Sequence, residues 1–256
     1  MRPYSGLCME RGLDMGLKEY AAKRRFGETP EPGPGESPGG DQLVFVVHKH
    51  AARHLHYDIR LELAGVLKSW ACPKGPSLDP AVKRLAVMVE DHPIDYGAFE
   101  GVIPEGNYGA GGVIIWDRGV YRHPMAHDRR ENERLLLAGL AKGDLKFILE
   151  GEKLKGEFAL VRTGRDDRSW LLLKKRDRFA AGREVLAENR SVVSGATLEE
   201  VLAAGRGTSS WPKKIERVRL REAQERSALT DAPVAPMPHA VSPMLATQAE
   251  KPFDDP

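Results

Sequence analysis

The sequence lacks several features that define large classes of proteins. Its 256 residues include two cysteines, Cys8 and Cys72, which are far apart and not in a metal-binding spacing. This argues against a disulfide scaffold and fits a reducing cytoplasm. The first residues contain no apolar stretch typical of a signal peptide, and no apolar run approaches the length of a membrane span. We therefore expect a cytoplasmic protein with no membrane partner.

A strong net charge is also absent. The formal net charge is +2, although 30% of the residues are charged. Because there is no global field to attract an anionic partner, such a partner has to be met by a local basic patch.

Three regions are predicted along the chain. Residues 1–16 form a leader, residues 17–209 form one folded domain, and residues 210–256 begin as a charged and then Pro/Ala-rich linker. Within the domain, the Gly- and Pro-rich residues 29–42 predict a flexible loop.

Most of the domain is predicted as short strands. Five strand-like segments lie between residues 43 and 122, and three more lie between residues 144 and 176. Short helices are predicted from residue 15, from Asp128 to Lys142 and over 197–205, with Asp128 and Thr197 as N-caps. This pattern predicts a mainly β fold, a compact β-barrel with a polar active-site groove and a few short helices.

The stretch HLHYDIRLEL, residues 54–63, alternates between two kinds of side chain without exception. The apolar face consists of Leu55, Tyr57, Ile59, Leu61 and Leu63. The polar face consists of His54, His56, Asp58, Arg60 and Glu62. In a strand, residues two apart point to the same side, so the apolar face predicts core. The other face carries groups that bind metals, protons or anions; its alternative interpretation is an ordinary solvated face.

This pattern predicts a metal site. His56 and Asp58 lie two apart on one strand, and His50 at the end of the preceding segment is a natural third ligand. Two imidazoles and a carboxylate suit Mn²⁺, Fe²⁺ or Zn²⁺. Arg60 is one step further along the same face, where a guanidinium can hold a phosphate by two hydrogen bonds.

Further candidates are less specific. His92 ends the predicted strand RLAVMVEDH and precedes a proline, which fits either a functional residue or a capped turn. Lys74 and Arg84 add positive charge nearby, although either residue alone is more often a surface charge.

Four long motifs resemble one protein family: HLHYDIRLEL, GVLKSWACPKGPSLDP, RLAVMVEDHPIDYGAFEGVIPEGNYG and GVIIWDRG. They resemble the 3′-phosphoesterase domain of bacterial ATP-dependent DNA ligase D, which repairs double-strand breaks by non-homologous end joining. The resemblance runs from about residue 17 to residue 205. The tail VSPMLATQAEKPFDDP resembles the start of the adjoining ligase domain, but no Lys-x-Asp-Gly motif is present, so the ligase core is absent.

The resemblance implies a β-barrel enzyme that trims DNA 3′ ends with Mn²⁺, with Zn²⁺ or Co²⁺ as alternatives. Such an enzyme removes a 3′-terminal ribonucleoside and then the remaining 3′-phosphate, leaving a 3′-OH. The implied partners are primer–template DNA ends, a DNA ligase domain or protein, and end-binding Ku-type proteins, which places the chain at the bacterial nucleoid.

The resemblance also implies roles for individual residues. The implied metal ligands are His50, His56 and Asp58. The implied phosphate-binding residues are Arg60, His92, Lys74 and Arg84. The remaining matches to active-site positions are His48, Tyr96, Glu90, Arg24 and Glu31, of which the last two belong to a segment that folds over the groove.

Two positions depart from the family pattern. His48 stands where the family usually has Gln, and could donate a hydrogen bond as Gln does or compete for the metal. Arg25 stands where an acidic residue is common. These departures affect the balance between the two activities more than the metal site.

Other interpretations of the same residues remain open. One alternative is the two-His-one-carboxylate triad of non-haem iron oxygenases, with His56, Asp58 and His92 as its members. Alternatively, the domain is a non-catalytic module that docks DNA ends for a ligase. For an enzyme, water is the expected nucleophile, and His92 is either a general acid or a donor to a phosphate oxygen.

Overall fold

The computed structural model describes residues 17–35 and 40–205. The predicted leader and the predicted C-terminal linker lie outside the described residues. The region boundaries at residues 16 and 209 therefore stay predictions.

Nine strands form one antiparallel sheet that closes on itself. The strands are β1 (Leu43–Ala51), β2 (Leu55–Leu63), β3 (Val66–Cys72), β4 (Lys83–Met88), β5 (Gly101–Ile103), β6 (Gly111–Arg122), β7 (Asp144–Gly151), β8 (Lys155–Arg162) and β9 (Ser169–Lys174). Their order is β1-β2-β3-β4-β9-β8-β7-β6-β5, and β1 also pairs with β6. The β1–β6 pairing closes an eight-stranded barrel, and β5 adds to the first residues of β6. The predicted β-barrel is confirmed.

The barrel interior is filled with large side chains. Trp70, Trp116, Trp170, Phe147 and Phe158 are each at most 1% exposed and lie in one apolar cluster. Burial of this much aromatic and aliphatic surface is the main driving force for closing the sheet.

The hairpin between β2 and β3 fixes the register of these two strands. Its two turn residues, Ala64 and Gly65, have positive φ angles of 54° and 75°. Two-residue turns of this kind match the twist of antiparallel strands. The turn thereby aligns Asp58 with Ala71 and Arg60 with Ser69.

The chain leaves the sheet early after β4. β4 pairs with β3 at only two positions, and a single antiparallel bridge then joins Leu67 to His92. The backbone amide and carbonyl of His92 exchange hydrogen bonds with those of Leu67, at 3.1 and 2.8 Å. This bridge brings residues 89–92 beside β2 and β3.

The described residues include three α-helices beside the sheet: α1 (Lys18–Ala22), α2 (Arg129–Lys142) and α3 (Leu198–Gly205). Both predicted N-caps are confirmed, since Asp128 accepts a hydrogen bond from the amide of Glu131 at 2.8 Å and Thr197 from that of Glu200 at 3.2 Å. Helix α2 ends at Gly143, whose left-handed φ of 81° a side chain would resist.

Some sequence expectations differ from the structure. The three-residue strand β5 was not expected, because a segment that short carries no periodic pattern. Leu55 was expected in the core but is 49% exposed, since it is the first residue of β2 and lies beyond the barrel wall. His92 is not at the end of β4, which stops at Met88. No helix among the described residues has the length and apolar composition needed to cross a membrane.

Candidate active site

A cavity of about 300 Å³ lies on the outer side of β1–β3 and collects most of the predicted site residues. The polar side chains that line it are Arg24, Glu31, His50, His56, Asp58, Arg60, Glu90, His92, Tyr96 and Tyr108. The polar face of β2 is therefore not an ordinary solvated face: Asp58 and Arg60 are only 5% and 3% exposed. Burying a charged pair is costly unless each group is paired and hydrogen-bonded, as both are here.

Three groups at one end of the cavity could hold a metal ion. The ligand atoms of His50, His56 and Asp58 all lie within 4.8 Å of one another, and no other such group occurs in the described part of the chain. His50 and His56 are direct cross-strand partners on β1 and β2, and Asp58 follows His56 on the same face.

The hydrogen bonds of the two imidazoles fit metal binding. Nε2 of His50 donates to the carbonyl of Gly109 at 2.8 Å, and Nδ1 of His56 donates to the carbonyl of His54 at 2.9 Å. Each ring therefore directs its other nitrogen, as a lone pair, toward Asp58, at 3.7 Å for His50 and 3.5 Å for His56. A second hydrogen bond that fixes the tautomer is the usual support of a metal-binding histidine.

Asp58 is a carboxylate rather than a carboxylic acid. Burial opposes its ionisation, but the Arg60 guanidinium and the neighbouring imidazoles of His50 and His56 outweigh burial and hold its pKa well below the usual range. An ionised oxygen is the form that a divalent cation requires.

Arg60 lies at the centre of the cavity floor, and each of its nitrogens has a partner. Nη2 donates to Asp58 at 2.9 Å, Nη1 to the hydroxyl of Ser69 at 2.9 Å, and Nε to Nδ1 of His48 at 3.1 Å. The guanidinium carbon also lies 4.8 Å from the ring centroid of Tyr96. These contacts fix a planar cation beside the three candidate metal ligands.

His92 lies between two arginines. Nη2 of Arg24 lies 3.0 Å from Nε2 of His92, and Nη1 of Arg60 lies 2.9 Å from Nδ1. Because a guanidinium only donates, Nε2 accepts from Arg24, and Nδ1 carries the proton and donates to the carbonyl of Glu90 at 2.9 Å. The close contact between Nδ1 and Nη1 of Arg60 is therefore not a hydrogen bond, and Nη1 donates to Ser69 instead. Burial, Arg60 and Arg24 together lower the pKa of His92 well below its usual value. His92 is therefore neutral in this arrangement.

The segment of residues 17–35 covers one side of the cavity. Arg24 pairs with Glu31 at 2.9 Å and with Glu90 at 3.2 Å, and its guanidinium carbon lies 3.9 Å from the ring centroid of Tyr20. Lys23 pairs with Glu90 at 3.1 Å. The predicted residues Arg24, Glu31 and Glu90 thus meet at the cavity, with Glu90 holding the segment to the barrel.

Lys74 and Arg84 are not brought to the cavity. Lys74 is exposed in the turn after β3. Arg84 is on the same face of β4 as the buried Ala86, which packs in the barrel core, and its Nη2 is 4.0 Å from Glu184. Val89, just beyond β4, lines the cavity instead. Because Leu85 is an apolar residue that is exposed, the sequence did not reveal which side chains of β4 face the barrel core.

The two departures from the family pattern lie at different positions relative to the cavity. His48 is fully buried behind Arg60, where it accepts a hydrogen bond rather than donating one as Gln could, and it is not among the grouped metal ligands. Arg25 has a 74% exposed side chain that pairs with Glu28 at 3.5 Å, and it does not line the cavity.

The hydroxyl of Ser69 and the thiol of Cys72 are chemically able to act as nucleophiles, but neither is suitably placed. Ser69 is buried and donates its hydroxyl proton to the carbonyl of Leu67 at 3.0 Å. Cys72 lies in the barrel core, where burial raises the pKa of its thiol to about 12. His92 is not among the grouped ligands; the set of two histidines and one carboxylate consists of His50, His56 and Asp58.

Sequence reasoning missed three residues of the cavity region: Tyr20, Lys23 and Tyr108. Tyr20 and Lys23 are distant in sequence from the groups that they contact, including Glu90 and His92. Tyr108 lies in the stretch PEGNYGAGG, which was interpreted only as a turn. The combination of an aromatic residue with flanking glycines near a metal-ligating strand was the available signal.

The fold and the site together define a β-barrel protein with a candidate metal centre beside a buried arginine. Comparisons with known proteins agree with this description. Residues 48–162 match the family described as the DNA Ligase D 3′-phosphoesterase domain. The chain is 45% identical over 241 residues to the multifunctional non-homologous end joining protein LigD of Pseudomonas aeruginosa, covering 92% of this chain. It is 44% identical over 156 residues, 60% of this chain, to the LigD DNA repair protein of Mycobacterium tuberculosis.

These matches confirm the resemblance predicted from the motifs: the chain carries a domain of the DNA ligase D 3′-phosphoesterase family. The aligned part is 26% of the length of the Pseudomonas relative and 19% of that of the Mycobacterium relative.

Proposed function

We propose that this domain is a Mn²⁺-dependent phosphoesterase that heals DNA 3′ ends. It removes a 3′-terminal ribonucleoside and then the 3′-phosphate, leaving a 3′-OH for ligation during double-strand break repair by non-homologous end joining. The observation that carries the proposal is the juxtaposition of His50, His56 and Asp58 with the buried Arg60 in one cavity. Membership of the 3′-phosphoesterase family supports the same function.

The charges of the cavity suit a phosphate group. Arg60 and Arg24 lie on the two sides of His92, so two guanidinium groups face the same small volume. Guanidinium groups bind phosphate oxygens through paired hydrogen bonds and neutralise charge that develops on them. A Mn²⁺ ion held by His50, His56 and Asp58 would polarise a phosphate oxygen and lower the barrier to attack.

Hydrolysis would proceed as follows. Water attacks phosphorus, the bond to the 5′ oxygen of the terminal nucleoside breaks, and that oxygen takes up a proton, leaving a 3′-phosphate. In the second step water attacks the 3′-phosphate, the bond to the 3′ oxygen breaks, that oxygen takes up a proton to become the 3′-OH, and inorganic phosphate is released. His92 is the proposed proton donor. Burial and the charges of Arg60 and Arg24 keep this imidazole neutral, and a bound phosphate would oppose the two arginine charges and raise its pKa.

The proposed substrate is a primer–template with a recessed or tailed 3′ end. Binding would rely on phosphate contacts and carry little sequence specificity. In the cell, the proposed setting is the cytoplasm near the nucleoid, with a DNA ligase domain or protein and Ku-type end-binding proteins as partners. Lys74 is exposed and is proposed to contact the DNA backbone away from the scissile phosphate.

A gel assay tests the proposal. The protein is incubated with Mn²⁺ and a 5′-labelled primer–template that ends in one 3′ ribonucleotide, beside the same primer ending in a 3′-phosphate. We expect the first primer to shorten to a 3′-phosphate and then to a 3′-OH. Loss of the phosphate from the second primer alone would restrict the function to a monoesterase, and bound but unchanged DNA would indicate a docking module.

The matched variants are His56→Ala and His54→Ala. His56→Ala removes one candidate ligand and should abolish both activities while the thermal unfolding temperature of the metal-free protein stays nearly unchanged. His54 is exposed and contributes its backbone carbonyl, which His54→Ala retains, so this variant should stay active. A folded and fully active His56→Ala variant would contradict the metal site.

A further inference from the structure

An exposed aromatic ring lies at the mouth of the cavity. Tyr108 lines the cavity and is 51% exposed, although it is a large side chain that could pack elsewhere. It directly precedes Gly109, whose carbonyl accepts the hydrogen bond from His50. The ring is therefore attached to the backbone that orients one of the candidate metal ligands.

Hydrogen-bonded turns fix the backbone around Tyr108. The amide of Asn107 donates to the carbonyl of Pro104, and the amide of Ala110 donates to the carbonyl of Asn107. Gly109 has a positive φ of 75°, and a Cβ at this position would lie 3.5 Å from Cε1 of His50. Two consecutive turns and this close approach hold the loop beside His50.

Two cations flank the ring. Nζ of Lys23 lies 5.0 Å from the ring centroid of Tyr108, and the guanidinium carbon of Arg24 lies 5.7 Å from it. Half of the residue's surface remains exposed in spite of these contacts. Proteins that bind single-stranded nucleic acid combine aromatic stacking surfaces with positive charge in this way.

Building on the proposed function, we infer that Tyr108 stacks on the base of the nucleoside that leaves the 3′ end. The last base of a strand has one face with no neighbouring base in its own strand, so an aromatic side chain gains most from contact there. The ring is also close to the candidate metal ligands, where the phosphate next to that nucleoside would lie. Because every base has a π-face, Tyr108 would favour a nucleoside with a base over an abasic sugar without choosing among the four bases.

A binding experiment tests the inference without catalysis. The primer carries 2-aminopurine as its terminal 3′ ribonucleotide, and EDTA removes divalent ions so that the primer stays intact. Stacking on an aromatic ring lowers 2-aminopurine fluorescence, so binding of the unaltered protein should quench the signal. Tyr108→Phe should keep the quench, and Tyr108→Ala should lose it and bind this primer about tenfold more weakly.

A kinetic experiment adds an independent readout. With Mn²⁺, kcat/KM for removal of a 3′-terminal ribonucleoside is compared with that for an abasic ribose at the same place. The unaltered protein should prefer the intact nucleoside, and Tyr108→Ala should reduce this preference to nearly one. Phe179→Ala is the control, since Phe179 is also partly exposed but lies outside the cavity.

The outcomes separate the two proposals. If the unaltered protein neither binds nor cleaves either primer, the proposed function fails. If it binds and cleaves but shows no quench, or if Tyr108→Ala keeps the preference for a base, only the inference about Tyr108 is overturned.

Discussion

At the scale of single residues, His48 shows how a departure from a family pattern can preserve an interaction. Its Nδ1 accepts the hydrogen bond that Nε of Arg60 donates, while its Nε2 is buried without a partner. A glutamine carbonyl can accept the same bond. The substitution therefore exchanges one acceptor for another behind Arg60.

This role predicts the behaviour of two variants. His48→Gln should retain activity within a few-fold, whereas His48→Leu leaves Nε of Arg60 buried and unpaired, at a cost of about 1–3 kcal/mol. For a domain of this size that cost lowers the thermal unfolding temperature by roughly 2–4 °C per kcal/mol. Steady-state kinetics and thermal unfolding of both variants measure the effects. Equal activity and stability of His48→Leu and the unaltered protein would show that Arg60 needs no acceptor here.

At the scale of elements, the attachment of residues 17–35 to the barrel depends on Glu90. Burial raises the pKa of Glu90, but a backbone hydrogen bond and the cations Lys23 and Arg24 outweigh it, so the net pKa lies below the usual value. A carboxyl group with a lowered folded-state pKa contributes stability above its unfolded pKa. This contribution is lost as the pH falls through the lowered value.

Neutralising Glu90 should therefore weaken the attachment of residues 17–35 to the barrel. Glu90→Gln should increase hydrogen exchange at the amides of α1 at neutral pH, with little change in the barrel strands. In the unaltered protein the same increase should appear only in acid. Asp91→Asn is a neighbouring control, because Asp91 pairs with Lys68 and not with the segment. Unchanged protection of α1 in Glu90→Gln would contradict the proposed attachment.

The N-cap of α2 allows a prediction about the stability of the protein. Asp128→Ala removes the acceptor for the amide of Glu131 and should destabilise the protein by about 1 kcal/mol. Phosphoesterase activity should not change, because α2 does not line the cavity. Thermal unfolding and the primer assay measure both quantities, and a loss of activity at full folding would show that α2 contributes to the site.

How much the sequence predicted also differs by element. The alternation in β2 placed the candidate ligands His56 and Asp58 on one face, and the third candidate, His50, lies opposite His56 in the same hairpin. Arg84 was singled out by its charge and by the family resemblance, and in the structure it shares a face of β4 with the core residue Ala86. Lys23 could not be found from local pattern, since its neighbours at the cavity are set by tertiary packing.

At the scale of the whole molecule, the net charge of +2 gives little long-range attraction to DNA. Affinity should then come from a few phosphate contacts near the cavity. The logarithm of the binding constant should fall linearly with the logarithm of salt concentration, with a slope of about −0.7 to −0.9 per contacted phosphate. Fluorescence anisotropy with two unrelated primer sequences measures the slope. A large difference in affinity between the sequences, or no dependence on salt, would contradict binding through phosphates.

The hairpin of β1 and β2 has a consequence for the order in which the site assembles. His50, His56 and Asp58 span only nine residues, so bringing them together closes a very short loop. The cavity wall made by Arg24, in contrast, needs contacts across more than sixty residues. A metal ion at these three residues would need only the hairpin, so it would bind before residues 17–35 dock and act as a nucleus around which the rest of the pocket closes.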